Sequence, residues 1–114
     1  MERKRRTNEE DLMYTESVRR LIDYCKQGDV HNMMRLISSG ASVNSSDIQG
    51  ETPVHVAAST GRLPVLKYLV SEGGRIYVRD IKGQQPVHKA ASGGHVAALE
   101  FLMHKGNHIL VTLY

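Results

Sequence analysis

Six histidines, a single cysteine and two glycine pairs are the residues of this chain whose types and spacing could do chemistry. Histidines at suitable spacing bind zinc, usually with cysteines. His104 and His108 lie four apart, but Gly106 interrupts the helix that would align them. With a single Cys25 there is no cysteine pair to complete a zinc set, so no metal is expected. His55 and His88 each follow Pro-Val, which marks them as equivalent parts of a repeated frame. Cys25 as a nucleophile fares no better. In that frame it aligns with Ala58 and Ala91, the place of a small core residue, and buried thiols in apolar surroundings are unreactive. Gly73-Gly74 and Gly93-Gly94 lack the following Lys-Ser/Thr of a phosphate loop. No pair of carboxylates falls in an identifiable pocket. The expectation is a non-enzymatic protein with no cofactor.

The elements that carry these residues repeat. Gly50–Gly73 and Gly83–Gly106 match at one fixed offset. Gly50, Pro53, Val54, His55, Ala57, Ala58, Ser59, Gly61, Leu69 and Gly73 fall on Gly83, Pro86, Val87, His88, Ala90, Ala91, Ser92, Gly94, Leu102 and Gly106. A period of this length, about 33 residues, is the mark of a repeat architecture. A third, earlier copy starts before Gly28. There Val30, Met33, Leu36 and Ile37 match Leu63, Leu66, Leu69 and Val70, and then Val96, Leu99, Leu102 and Met103. This stripe is expected to face a core in all three copies. Gly40, Gly73 and Gly106 close those helices.

Each copy reads as two helices. In the first copy Thr7 and Glu10 form a capping box. Tyr14, Val18, Leu21, Ile22 and Cys25 then line one face of a helix from about Asn8 to Gln27, ended by Gly28. In the second, Pro53 suits a first helical turn, Gly61 stops that helix and Pro64 opens the next. Ala57-Ala58 and Ala90-Ala91 are small so that neighbouring first helices can approach closely. The connections Ala41–Glu51 and Gly74–Gln84 each carry Asp-x-x-Gly, a turn capped by Asp and closed by Gly, with Val43 and Ile76 pointing inward.

Composition fits a small soluble domain. The chain has 114 residues, 40% hydrophobic and 24% charged, with no Trp and one Phe, so its core is built from aliphatic residues. The net charge of +3 is too weak to imply nucleic acid by itself. One cysteine fits a reducing compartment. The charged N-terminus lacks a signal peptide's apolar stretch, and no run is long enough to span a membrane. A cytoplasmic or nuclear location is expected.

The T-P-V-H-x-A-A segment, the paired helices framed by glycines, the D-x-x-G turns and the period together resemble the ankyrin repeat. The resemblance covers about Thr15 to His108. It implies an all-α repeat solenoid of antiparallel helix pairs with a projecting β-hairpin finger at each junction. In such repeats Thr52 and His55 would tie the turn to the helix start. Gln85 replaces Thr in the next copy, so that bond is expected to be weakened or altered. Tyr77 stands where the first copy has Asn44, and Leu113 stands where the other copies have the turn Asp. The organisation read from this is a basic N-terminal tail (1–7), a repeat domain (8–108, copies about 8–46, 47–79 and 80–108) and an apolar tail (109–114).

What the resemblance implies for function is protein binding. The contacting positions carried over from the family are Ser46, Ile48, Gln49 and Glu51 on the first finger and Arg79, Ile81, Lys82 and Gln84 on the second. Lys26, Gln27, Ser59, Thr60 and Ser92 join them at the first-helix ends. Ile48 and Ile81 stand out as apolar residues at finger tips, either binding anchors or ordinary exposed isoleucines. Arg75, Arg79 and Lys82 make the second finger basic, which points to an acidic partner segment. Leu36 lies eight positions before Asn44, the spacing of asparaginyl hydroxylase substrates in this family. Such a protein would act as a signalling or transcription-regulatory adaptor.

Two alternatives come from other classes. One is a nucleic-acid-associated nuclear factor using Arg3-Lys4-Arg5-Arg6 and the second finger, although base-stacking aromatics are lacking. That basic run is otherwise a solvated terminus, a nuclear-import signal or an arm that touches an acidic surface. The other is a shortened product of a longer array without function of its own. The apolar end Ile109–Tyr114 reads three ways: a cap folded over the third copy, a sticky end left by shortening, or a strand that pairs with a second chain. With about two interfaces between repeats, stability is expected to be modest.

Overall fold

A computed structural model describes residues 8–106. Among these residues six helices follow one another: α1 (Asn8–Gln27), α2 (Val30–Ser38), α3 (Pro53–Thr60), α4 (Leu63–Ser71), α5 (Pro86–Ser92) and α6 (Val96–Lys105). They form three pairs, α1/α2, α3/α4 and α5/α6. The first helices stack in one row, with α3 packed between α1 and α5, and α4 also meets α6 behind them.

The turn inside each pair follows from its glycine. Gly61 adopts φ 72°, a left-handed conformation that a side chain disfavours. The Gly61 N–H donates to the Ala58 carbonyl at 3.2 Å and the Arg62 N–H to the Ala57 carbonyl at 3.2 Å. Those bonds satisfy the last carbonyls of α3 and reverse the chain into α4. The same frame recurs one period earlier and one later, where Asp29 N–H donates to Tyr24 O at 2.9 Å and His95 N–H to Ala90 O at 3.0 Å. At the start of α2, Asp29 accepts from the Asn32 N–H at 3.2 Å as a side-chain cap.

The core follows the apolar stripes. Val18, Leu21, Ile22 and Cys25 of α1 are buried with Met33, Val54, Ala57, Ala58, Val65, Leu66, Leu69, Ala90, Ala98 and Leu102. Val30, Leu36, Ile37, Val70, Leu99 and Ile76 pack partly buried against them. Two expectations fail at the third pair. Val96 opens α6 and is 62% exposed, so the stripe does not face the core along its whole length there. Ala91 is exposed as well, because among the described residues no further first helix packs on α5. The Thr7–Glu10 capping box, the Tyr14 side chain, the basic run Arg3–Arg6 and the apolar tail Ile109–Tyr114 lie outside the described side chains.

The fingers differ from the expected hairpins. Among the described residues there is no strand. Each finger is instead one turn closed by a short pair of bonds. In the first, Asp47 N–H donates to Glu51 O at 3.0 Å and Gly50 N–H to Asp47 O at 2.9 Å. In the second, Asp80 N–H donates to Gln84 O and Gly83 N–H to Asp80 O, both at 2.9 Å. The Asp side chains take the remaining amides. Asp47 Oδ1 accepts from Gln49 and Glu51, and Asp80 Oδ1 from Lys82 and Gln84. In the first arm Ser42 draws Ser45 and Asn44 into a turn of their own, so no ladder extends toward α2.

Candidate functional site

The two finger turns lie side by side, and the candidate surface is built on that placement. The Ile81 N–H at the tip of the second finger donates to the Gln49 carbonyl of the first at 3.0 Å. Gly50 makes the approach feasible. It has φ 78°, and a Cβ there would come within 3.1 Å of the Asp80 Cα and the Ile81 nitrogen. The tips therefore project Ile48, 91% exposed, and Ile81, 66% exposed, from adjacent turns.

His55 anchors the base of this pair. It is fully buried, and its Nε2 lies 2.8 Å from the Gln84 carbonyl of the next finger. A carbonyl only accepts, so Nε2 carries the hydrogen and Nδ1 accepts, at 3.2 Å, from the Thr52 N–H. Thr52 caps α3 in return, its Oγ1 accepting from the His55 N–H at 3.3 Å. In the next copy Gln85 N–H donates to His88 Nδ1 at 2.8 Å, but the Gln85 side-chain amide donates to the Tyr77 carbonyl at 3.2 Å. That is the alteration expected from the missing Thr.

A salt-bridge network crosses both fingers. Lys89 Nζ of α5 lies 3.0 Å from Glu51 Oε2 and 3.2 Å from Asp80 Oδ2. The backbone N–H of Gln84, together with Lys89 and the Lys82 N–H, holds the Asp80 carboxyl down at about 2 against the cost of its burial. The hydrogen bond to Glu51, with Asp80 beside it, raises the Lys89 pKa.

The residues nominated from the sequence divide accordingly. Ser46, Ile48, Gln49, Arg79, Ile81 and Lys82 are exposed on the fingers. Glu51 and Gln84 are half-buried, with the Glu51 carboxylate held by Lys89 and the Gln84 carbonyl by His55, so they build the surface more than they present it. Arg79 donates to the Gly83 carbonyl at 3.0 Å and stiffens the second turn. Lys26, Ser46 and Ile48 come together in a cleft of about 470 Å³ between α1 and the first finger, with Val18, Arg19 and Ile22. Gln27, Ser59 and Ser92 are exposed at helix ends, and Thr60 is half-buried. The Ser59 and Thr60 hydroxyls donate to the Val56 carbonyl. No hydrogen bond among the described residues joins Ser59, Thr60 or Ser92 to a finger.

Those helix ends are instead where repeats are stapled. Arg62 Nε donates to the Lys26 carbonyl at 2.8 Å, and His95 Nε2 meets the Ser59 carbonyl at 2.9 Å. Arg62 and His95 are one period apart, as are Lys26 and Ser59, so one device recurs at both interfaces. Asn44 makes a further tie, donating from Nδ2 to Gly73 O at 3.1 Å and accepting at Oδ1 from the Arg75 N–H at 2.8 Å. Sequence reasoning missed Lys89, Arg19 and the staple. The trace of Lys89 was its place in His-Lys-Ala-Ala, where the middle copy has His-Val-Ala-Ala.

Cys25 is fully buried, and desolvation pushes its thiol up to about 12. Among the described residues no group of three His, Cys, Asp or Glu could hold a metal ion, and no helix is long and apolar enough to cross a membrane.

A family model described as ankyrin repeats, three copies, matches residues 15–112. Among curated proteins, acyl-CoA-binding domain-containing protein 2 of Arabidopsis thaliana is 39% identical over 44 residues, which is 39% of this chain and 12% of that protein. Acyl-CoA-binding domain-containing protein 1 of the same plant is 38% identical over 42 residues, 37% of this chain and 12% of that protein. The matched stretch thus spans about an eighth of these relatives' length.

Proposed function

The chain belongs to the ankyrin-repeat family, a family of protein-binding modules, and from that premise we propose that it binds another protein through its paired finger tips, without catalysis. The observation that carries this reading is the exposure of Ile48 and Ile81 on turns joined tip to tip. Apolar side chains held out on a stiff frame lose little entropy when a partner covers them. Arg75, Arg79 and Lys82 are exposed on the second finger, so a partner segment with acidic residues beside an apolar anchor fits this surface best. Lys26, Gln49 and Ser46 would flank the anchor on the first finger and α1. The protein would serve as an adaptor.

The test is capture from cells with the intact chain as bait, compared with the double variant Ile48→Ser, Ile81→Ser. Both side chains are exposed, so the variant keeps its melting temperature. Partners retained by the original and lost by the variant support the reading. Partners bound equally by both overturn the finger-tip surface. Repeating the capture across a salt series distinguishes nucleic acid, whose binding falls steeply with salt.

A further inference from the structure

The Lys89 network does something that no stripe or turn accounts for. In the aligned place of the middle copy stands Val56, which is 2% exposed. An ammonium at such a place costs desolvation unless it is paired, and removing one partner of such a pair leaves the other charge uncompensated. Lys89 is paired with two carboxylates that belong to two different fingers. Glu51 ends the first turn, its N–H held by Asp47 Oδ1 at 3.0 Å. Asp80 opens the second turn, and its Oδ1 already holds the Lys82 and Gln84 amides at 2.9 Å. One ammonium therefore touches both turn frames at once. The side chains are 18% exposed for Lys89, 29% for Glu51 and 3% for Asp80, so water screens the network only in part.

We propose that Lys89 is a positioning residue that clamps the first finger to the second and so fixes the spacing of Ile48 and Ile81. Its importance for partner choice rests on the finger-tip reading above, but the clamp itself does not. With Lys89 in place, the Gln49–Ile81 bond is held from below by a charge tied to each turn. Without it, the first finger keeps its own Asp47 frame and its ties at the base, from His55 to Gln84 and from Asn44 to Gly73 and Arg75, and the Gln49–Ile81 bond is left to hold the tips together by itself. Asp80 is left buried beside a half-buried Glu51 with no cation between them.

Amide hydrogen exchange of the intact chain tests this directly, because the Ile81 N–H reports the tip-to-tip bond. In Lys89→Met, which removes the charge but keeps most of the side chain's length, the Ile81 amide is expected to exchange about tenfold faster or more, while α3 amides keep their protection. Lys89→Arg restores protection, since a guanidinium can span the same two carboxylates. Glu51→Gln, which removes one arm of the clamp and leaves the Lys89–Asp80 pair, gives an intermediate rise and serves if Lys89→Met does not fold. Unchanged Ile81 exchange in Glu51→Gln and in any folded Lys89→Met overturns the proposal. So does a rise that only tracks the rise of the α3 amides, which would be general loosening. If Ile81 exchange responds as expected but partner capture is indifferent to Ile48→Ser, Ile81→Ser, the clamp stands and the finger-tip reading falls.

Discussion

His55 Nε2 meets the Gln84 carbonyl at 2.8 Å, and through that bond the start of one repeat holds the finger of the next. His88, the same residue one period later, makes the same bond to its own helix start, with Gln85, but is exposed and reaches no finger carbonyl among the described residues. The pair separates what the histidine does inside a repeat from what it does between repeats.

His55→Ala is therefore expected to cost about 3 kcal/mol, since it strands the buried Thr52 amide and removes the donor to the Gln84 carbonyl. His88→Ala is expected to cost about 1 kcal/mol or less, as at other exposed positions. Urea denaturation of both variants checks the difference. Equal losses would mean that the tie to Gln84 contributes nothing.

Leu69 tests the aliphatic core. It is fully buried in α4, at the middle of the stack. Leu69→Ala is expected to cost about 2–5 kcal/mol, lost transfer energy plus the cavity left behind. In a stack of three pairs that loss should spread, so α1 and α5 should melt together with α4. Circular dichroism and amide exchange on the same variant would show whether unfolding stays cooperative.

Much of this was legible from the sequence because a repeat states its constraints several times. Pro53 and Pro86, Gly61 and Gly94, Ala57 and Ala90 mark the same turns and contacts at one offset, and α1 ends at Gln27 just before Gly28 as its pattern implies. The losses came where neighbours decide. Val96 carries the pattern of a core residue, but among the described residues little packs over it at the start of α6. The fingers were expected as hairpins, yet Asp47 and Asp80 take the amides a partner strand would use. Lys89 drew no reading from the sequence, because only the stacking offset brings Glu51 and Asp80 to it. A single sequence does not display contacts made across the period, and the candidate surface consists mostly of those.

Asp80 gives the network a pH signature. Its folded value, about 2, lies below the ordinary 3.8, so the folded state favours the carboxylate. That contribution is fully present above the unfolded value and is lost as pH falls through the folded one. Lys89 works in the opposite sense: its folded value is raised, so its contribution holds below the ordinary lysine range and is lost as pH rises through the raised value. Asp80→Asn should thus be less stable than the original chain at neutral pH, and the gap should close as pH falls from about 4 to about 2. Urea midpoints of both proteins over that range check it. A gap that does not change with pH would show that Asp80 acts only through its shape.

Asn44 carries the last prediction. Its side-chain amide is bonded on both sides, to Gly73 O and from the Arg75 N–H, and ties the first finger's arm to the following repeat. For an enzyme to draw the Asn44 side chain into its own active site, both of these bonds must open first. Hydroxylation of Asn44 is expected to be slow on the intact fold and faster on Leu69→Ala, because local opening is cheaper where the stack is already weakened. Incubation with the enzyme, followed by peptide mass spectrometry for one added oxygen on Asn44, reads both rates. No added oxygen on either protein removes Asn44 as a modification site. Equal rates on the two would show that the enzyme reaches Asn44 without opening the fold.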